Sequence, residues 1–144
     1  CLLGEKVRYD GSDKQNDFVL SLKKNHTLIP VCPESLGGLE IPRLPSEIVN
    51  DKVLRKDGLD LTANFISGAM KAYETADKSE IDVAILKSKS PSCGYKEIYD
   101  GSFSGKLKDG NGIFTEILLK NNIRVFTEND IDKISEYIKN QSTD

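Results

Sequence analysis

Residues 81–87 constrain the fold more than any other stretch, because Ile81-Asp82-Val83-Ala84-Ile85-Leu86-Lys87 is an almost unbroken β-branched and aliphatic run. Such a run suits a strand buried on both faces, as in a parallel sheet covered by helices. Its neighbours supply those helices. Before it, 61–78 carries Leu61, Phe65, Ile66, Ala69, Met70, Ala72 and Tyr73 at helical spacing, with Asp60 or Thr62 as cap. After it, the sequence predicts a helix over 113–121, a strand over 123–126 and a helix over 130–140. Strand and helix alternate, so the expectation is an α/β, three-layer Rossmann-like domain with a mainly parallel sheet.

The first half extends the pattern less evenly. Phe18, Val19 and Leu22 lie on one face of an amphipathic helix predicted over 13–24, and 27–32 reads as a short strand. Segment 43–56 is too broken by Pro42 and Pro45 for an element, 95–109 reads as a loop, and 110–112 as a helix entry. With 144 residues the chain suits one domain spanning 1–144, with a polar, frayed tail over 141–144. It opens at Cys1 with no methionine, and a first strand is expected ahead of that residue.

Two strands run out into unusual chemistry. The strand over 27–32 meets Cys32-Pro33-Glu34 and then Gly37-Gly38, and the strand over 81–87 meets Ser90-Pro91-Ser92-Cys93-Gly94. Proline after Cys32 favours an extended residue and a strand end there. Open α/β sheets bind ligands beyond the carboxyl ends of their strands, so Cys32 and Cys93 belong to one candidate edge, with Glu34 beside them. The tetrapeptide Tyr-Asp-Gly-Ser occurs at 9–12 and again at 99–102, either as a favoured turn or as two equivalent ligand-bearing loops.

Charge and cysteine usage narrow the function classes. Twenty basic residues against 23 acidic ones, a net −3, give no bulk field for nucleic acid. A mean hydropathy of −0.41 and the lack of a long apolar run predict a soluble, cytoplasmic protein. Three cysteines leave a disulfide with a spare thiol. His26 could complete a Cys3His zinc site, yet its polar surroundings read as a solvated loop. Without a base for a thiol, a cysteine-nucleophile hydrolase is a weak rival. A zinc- or ligand-binding α/β module without catalysis is the other, although no Gly-rich phosphate motif supports a nucleotide version.

Three ordered motifs carry a family likeness. Cys1-Leu2-Leu3-Gly4 with Val7-Arg8-Tyr9-Asp10-Gly11, then Val31-Cys32-Pro33-Glu34 with Gly37-Gly38-Leu39 and Pro42-Arg43, then Leu86-Lys87 with Ser90-Pro91-Ser92-Cys93-Gly94 and Ile98-Tyr99-Asp100-Gly101, resemble the thiouracil desulfidases. The resemblance spans nearly the whole chain. It implies a 4Fe-4S cluster on Cys1, Cys32 and Cys93, with one iron open to substrate sulfur, and a non-redox hydrolysis releasing hydrogen sulfide. It implies Glu34 as the proton-transfer group, with Ser90 as the better match for a second functional position and Ser92 its close rival. Arg8, Arg43, Lys87, Gly101 and Ser102 are candidates for holding the substrate. The implied substrate is a thiolated pyrimidine base, nucleoside or nucleotide, with thiolated tRNA left open, and neither a membrane nor a protein partner is indicated.

Overall fold

The computed structural model describes residues 1–141. A short helix α1 (Asp17–Ser21) starts where Asn16 accepts the Val19 N–H, and it runs into a 3₁₀ turn at Leu22–Lys24. The helix expected over 13–24 therefore begins only after that cap. Segment 27–31 joins no ladder, and Cys32, itself extended, instead caps a one-turn helix α2 (Pro33–Leu36). Proline is well suited to the first helical position, since its missing donor is not needed there.

A hairpin follows in the segment left unassigned from sequence: β1 (Ser46–Val49) pairs antiparallel with β2 (Lys52–Arg55). Its turn residues Asn50 and Asp51 both take left-handed backbone, the conformation a two-residue hairpin turn requires. Then comes α3 (Thr62–Lys78), whose N-cap is Leu61 and not the expected Asp60 or Thr62; the Asp60 carboxylate, one residue earlier, accepts the Thr62 N–H at 2.9 Å. Thr62 is used elsewhere: its hydroxyl accepts the Val53 N–H at 2.9 Å and ties the helix to the hairpin. The buried stripe of α3 is Phe65, Gly68, Ala69, Ala72 and Ala76, whereas Ile66 and Met70 are exposed.

The buried run forms β3 (Val83–Leu86), shorter than the seven residues expected. A second antiparallel pair, β4 (Glu97–Tyr99) with β5 (Leu107–Asp109), occupies the segment read as a loop. Helix α4 (Ile113–Lys120), strand β6 (Arg124–Thr127) and helix α5 (Ile131–Gln141) complete the order. Gln141 closes α5, and the rest of the expected tail, 142–144, lies outside the described residues. No described helix is long and apolar enough to cross a membrane.

The parallel character resides in one pair. β3 lies beside β6 in register Ala84 with Val125 and Leu86 with Thr127, while the two other described pairs are antiparallel. The fold is mixed α/β with a parallel sheet, not the mainly parallel sheet expected, because hairpins occupy the segments between the motifs. Ala69 and Ala72 of α3, Ala84 and Leu86 of β3, Val125 of β6, and Phe114 and Leu118 of α4 form the main core. Phe126, alternating with Val125 along the strand, meets the Tyr137 ring of α5 edge-on at 5.8 Å. Full burial of a side chain such as Phe114 or Leu118 contributes about 1.5–3 kcal/mol.

Candidate active site

The site is held by two short turns, each fixed by packing against a longer helix. Beyond β3, the Ser90 hydroxyl accepts the Cys93 N–H at 2.8 Å and the Ser90 carbonyl accepts the Gly94 N–H at 2.9 Å. The start of α4 closes on the same turn. Ile113 and Phe114 donate their N–H groups to the carbonyls of Pro91 and Ser92, and the Thr115 hydroxyl donates to that of Cys93 at 2.9 Å. These bonds spend helix-terminal donors that would otherwise lack partners, and they immobilise the peptide bearing the thiol.

Cys32 and Glu34 are positioned by α2, and α2 by its contact with α3. A Cβ at Gly68 would lie 1.8 Å from the Pro33 carbonyl oxygen, and one at Gly37 would lie 2.2 Å from that of Asn64. Only glycine permits this approach of two backbones. The Asn64 side chain donates to the Gly37 carbonyl at 3.0 Å and locks the crossing.

Glu34 is held on both carboxylate oxygens. Arg43 Nη2 donates to Oε1 at 3.0 Å, and the Ser92 hydroxyl donates to Oε2 at 2.9 Å. Arg43 is itself enclosed, its side chain 6% exposed, and it donates further to the carbonyls of Glu40 at 2.9 Å and Val7 at 3.3 Å. Charge-assisted bonds of this kind are the stronger ones in proteins, and this pair links the first motif, through Val7, to the second. Ser92 is buried, and its oxygen lies 3.4 Å from that of Ser90. With Ser92 donating to the carboxylate, Ser90 is the donor of that contact. The two hydroxyls form a line running from Ser90 through Ser92 to Glu34.

The three cysteines are free and line one cavity of 910 Å³. Glu34, Ser90, Ser92, Arg8, Arg43 and Lys87 share its wall. Burial around the sulfur pushes the Cys93 thiol up to about 12; the Ser92 hydrogen bond opposes the rise, while Glu34 and Cys32 add to it. Burial thus works against ionisation of the Cys93 thiol, which argues against its attack as a free nucleophile. His26 lines the same cavity from an exposed loop, with its backbone N–H on the Leu22 carbonyl.

Other candidates have partners already. Lys87 Nζ reaches Glu128 at 3.1 Å, and Glu128 also accepts the Ser88 N–H, joining the ends of β3 and β6. The Gly101 N–H donates to Glu47 at 3.0 Å, and Ser102 turns outward to Asp100. Neither Gly101 nor Ser102 lines the cavity, although their neighbours Phe103 and Gly105 do. The two Tyr-Asp-Gly-Ser copies form the same local turn, with the Ser12 N–H on Asp10 at 3.0 Å and the Ser102 N–H on Asp100 at 2.9 Å.

The donor set fits an iron–sulfur cluster better than a single ion. Among the described residues, no three His, Cys, Asp or Glu side chains gather to hold one metal ion. Zinc draws its ligands onto one point at about 2.3 Å from each sulfur, whereas a cuboidal cluster takes each thiolate on a separate iron around its perimeter. Three unpaired thiols line one cavity, and thiolates are the ordinary ligands of such a cluster. Ionising a desolvated thiol such as Cys93 also calls for a positive partner of that kind.

Comparison with known proteins points the same way. The sequence model of the family described as 2-thiouracil desulfurase matches residues 1–130. An uncharacterized Bacillus subtilis (strain 168) protein, YbbK, is 35% identical over 144 residues, covering 93% of this chain and 95% of that protein. A solved structure, the [4Fe-4S]-dependent thiouracil desulfidase TudS, is 38% identical, with a TM-score of 0.90 over 96% of this chain and 93% of its own.

Proposed function

The chain belongs to the 2-thiouracil desulfurase family, and from that membership we propose that it hydrolyses the thiocarbonyl of thiouracil or a 4-thiouridine-type compound to a carbonyl, releasing hydrogen sulfide. The observation that carries the reading is Glu34, held between Arg43 and Ser92 on the wall that three free thiols share. Water supplies the oxygen that replaces sulfur, two protons leave with the sulfide, and no net electron transfer occurs. Cys1, Cys32 and Cys93 would hold a 4Fe-4S cluster, which when bound supplies a Lewis-acidic iron to the substrate sulfur.

The chain's own groups perform the proton work. Glu34 takes a proton from water and returns it towards the departing sulfur, the exchange a positioned carboxylate serves best. Arg43 keeps Oε1 fixed through its 3.0 Å bond. Ser92, donating to Oε2, sets the rotation of the carboxylate, and Ser90, nearer the open side, extends the line of hydroxyls to the substrate. The assignment gives Ser90 contact with substrate and Ser92 a positioning role. Arg8, on the same wall, suits the pyrimidine oxygens or an attached phosphate.

The finer architecture belongs to the same proposal. Helices α3 and α4 pack with Val125 and helix α5 with Phe126, and the cavity is lined by all four residues of β3. These features support one three-layer, Rossmann-like domain with the site at the carboxyl ends of the strands. Unpaired thiols suit the reducing cytoplasm.

Protein purified and reconstituted without oxygen should contain about four irons and four acid-labile sulfides per chain, as a single cubane requires, and should release sulfide from 2-thiouracil with uracil as co-product. Colourless protein carrying zinc, or protein with a full cluster and no sulfide release, would remove the reading.

A further inference from the structure

Resting on the desulfurase reading, we propose that Phe103 is a specificity residue, an aromatic platform on which the flat pyrimidine ring stacks, and that the buried carboxylate of Glu47 exists to hold it there. Phe103 adopts a left-handed backbone, φ 56°, a conformation that disfavours bulky side chains. Such conformations persist only where surrounding bonds enforce them, and they concentrate at ligand clamps.

The enforcing bonds are visible. Glu47, a charged residue in β1 only 7% exposed, accepts the N–H groups of Gly101 at 3.0 Å and Phe103 at 3.1 Å through one oxygen. A buried carboxylate is costly unless so partnered, and this one is spent on two amides of a surface loop. Gly101, at φ 94°, presses that loop against β1, since a Cβ there would lie 2.8 Å from the Ile48 carbonyl oxygen. The residues around Phe103 are exposed, yet Phe103 is half-buried and lines the cavity that the three thiols share.

The ligand chemistry follows from the wall. Glu34 and the hydroxyls address the reacting carbon and sulfur, but they offer nothing to the face of a ring. An aromatic side chain does, and stacking tolerates any pyrimidine face while rewarding planarity. Phe103 therefore contributes to binding in the ground state and the transition state alike, which raises KM when it is lost while kcat stays near the wild-type value.

The test uses the iron-loaded protein. Phe103→Leu should raise KM for 2-thiouracil by about 5- to 150-fold, the range that loss of one base-stacking contact gives. Glu47→Ala should raise KM similarly, and the double variant should be no worse than the worse single one, because both changes remove one platform. The chain contains no tryptophan, so Phe103→Trp supplies a direct binding signal even where Glu47→Ala fails to fold. Its fluorescence should be quenched saturably by uracil, whereas a tryptophan placed by Met70→Trp on the exposed face of α3 should not respond. Wild-type turnover with unchanged KM in Phe103→Leu, or no uracil response at position 103, overturns the platform and leaves the desulfurase reading standing. Absence of sulfide release from the iron-loaded wild-type protein overturns both.

Discussion

At the scale of single residues, the arrangement separates groups that bind from groups that move protons. Glu34 sits two positions from Cys32, close enough to share its turn, yet both its oxygens are taken by Arg43 and Ser92. Glu34→Gln keeps the side-chain shape and leaves three thiolates, removing only the ionisable group. Turnover should therefore fall by about 10²- to 10⁴-fold while iron content is retained. Measuring sulfide release and iron on the same preparation decides this, and a variant at wild-type rate excludes Glu34 from the chemistry. The carboxylate was legible in the sequence because it lies beside a cysteine at an expected strand end. Its partners were less so. Arg43 looked like a substrate ligand, because a lone arginine after proline carries no sign that its guanidinium will be enclosed by Glu34 and the carbonyls of Glu40 and Val7. Phe103 carried one usable signal, an aromatic residue amid serines and glycines, and its partner Glu47 lies in a segment whose pairing was not readable.

At the scale of elements, the structure rewards periodicity and penalises its absence. The 61–78 helix and the 81–87 strand were legible since apolar residues repeat over enough positions to outweigh local noise. The two hairpins were not. β1 and β2 span four residues each, and β5 is exposed throughout, so neither pair presents an alternating buried face. The strand expected over 27–32 fails for another reason: Pro30 and Pro33 remove donors a ladder would need, and the chain forms a cap and a one-turn helix instead. That small helix is where element packing reaches the chemistry. Gly68→Ala puts a methyl group against the Pro33 carbonyl and must displace α2 together with Cys32 and Glu34. Overpacking of this kind costs about 1–3 kcal/mol, hence a Tm lowered by roughly 2–12 °C. Iron content should fall as well, although Gly68 touches neither thiol nor substrate. Thermal unfolding with iron analysis tests this, and a variant with wild-type Tm and full iron would show that α2 does not depend on its seat.

At the scale of the whole molecule, the three thiols belong to parts of the chain that fold around different partners. Cys1 accepts N–H groups from Gly4 and Lys14, Cys32 caps the helix seated on α3, and Cys93 is clasped by α4 beyond β3. Only the Arg43–Glu34–Ser92 bonds connect these parts directly among the site's side chains. A group bound by all three thiolates would add a second connection, and anything that binds the folded chain but not the unfolded one stabilises it by mass action. At 100 to 1,000 times the dissociation constant that amounts to about 2.7–4.1 kcal/mol, or roughly 5–16 °C in Tm for a chain of this size. Removing iron with a chelator should lower Tm by that order and anaerobic reconstitution should restore it. Amide exchange should accelerate together in residues 1–4, 30–34 and 90–94 while the α3 core remains protected, because local opening follows the contacts that are lost. Cys→Ser at any one of the three positions should reproduce the pattern at all three segments. Exchange that quickens only beside the substituted cysteine would mean that the three thiols do not share one group, and the assignment of the ligand set would fall with it.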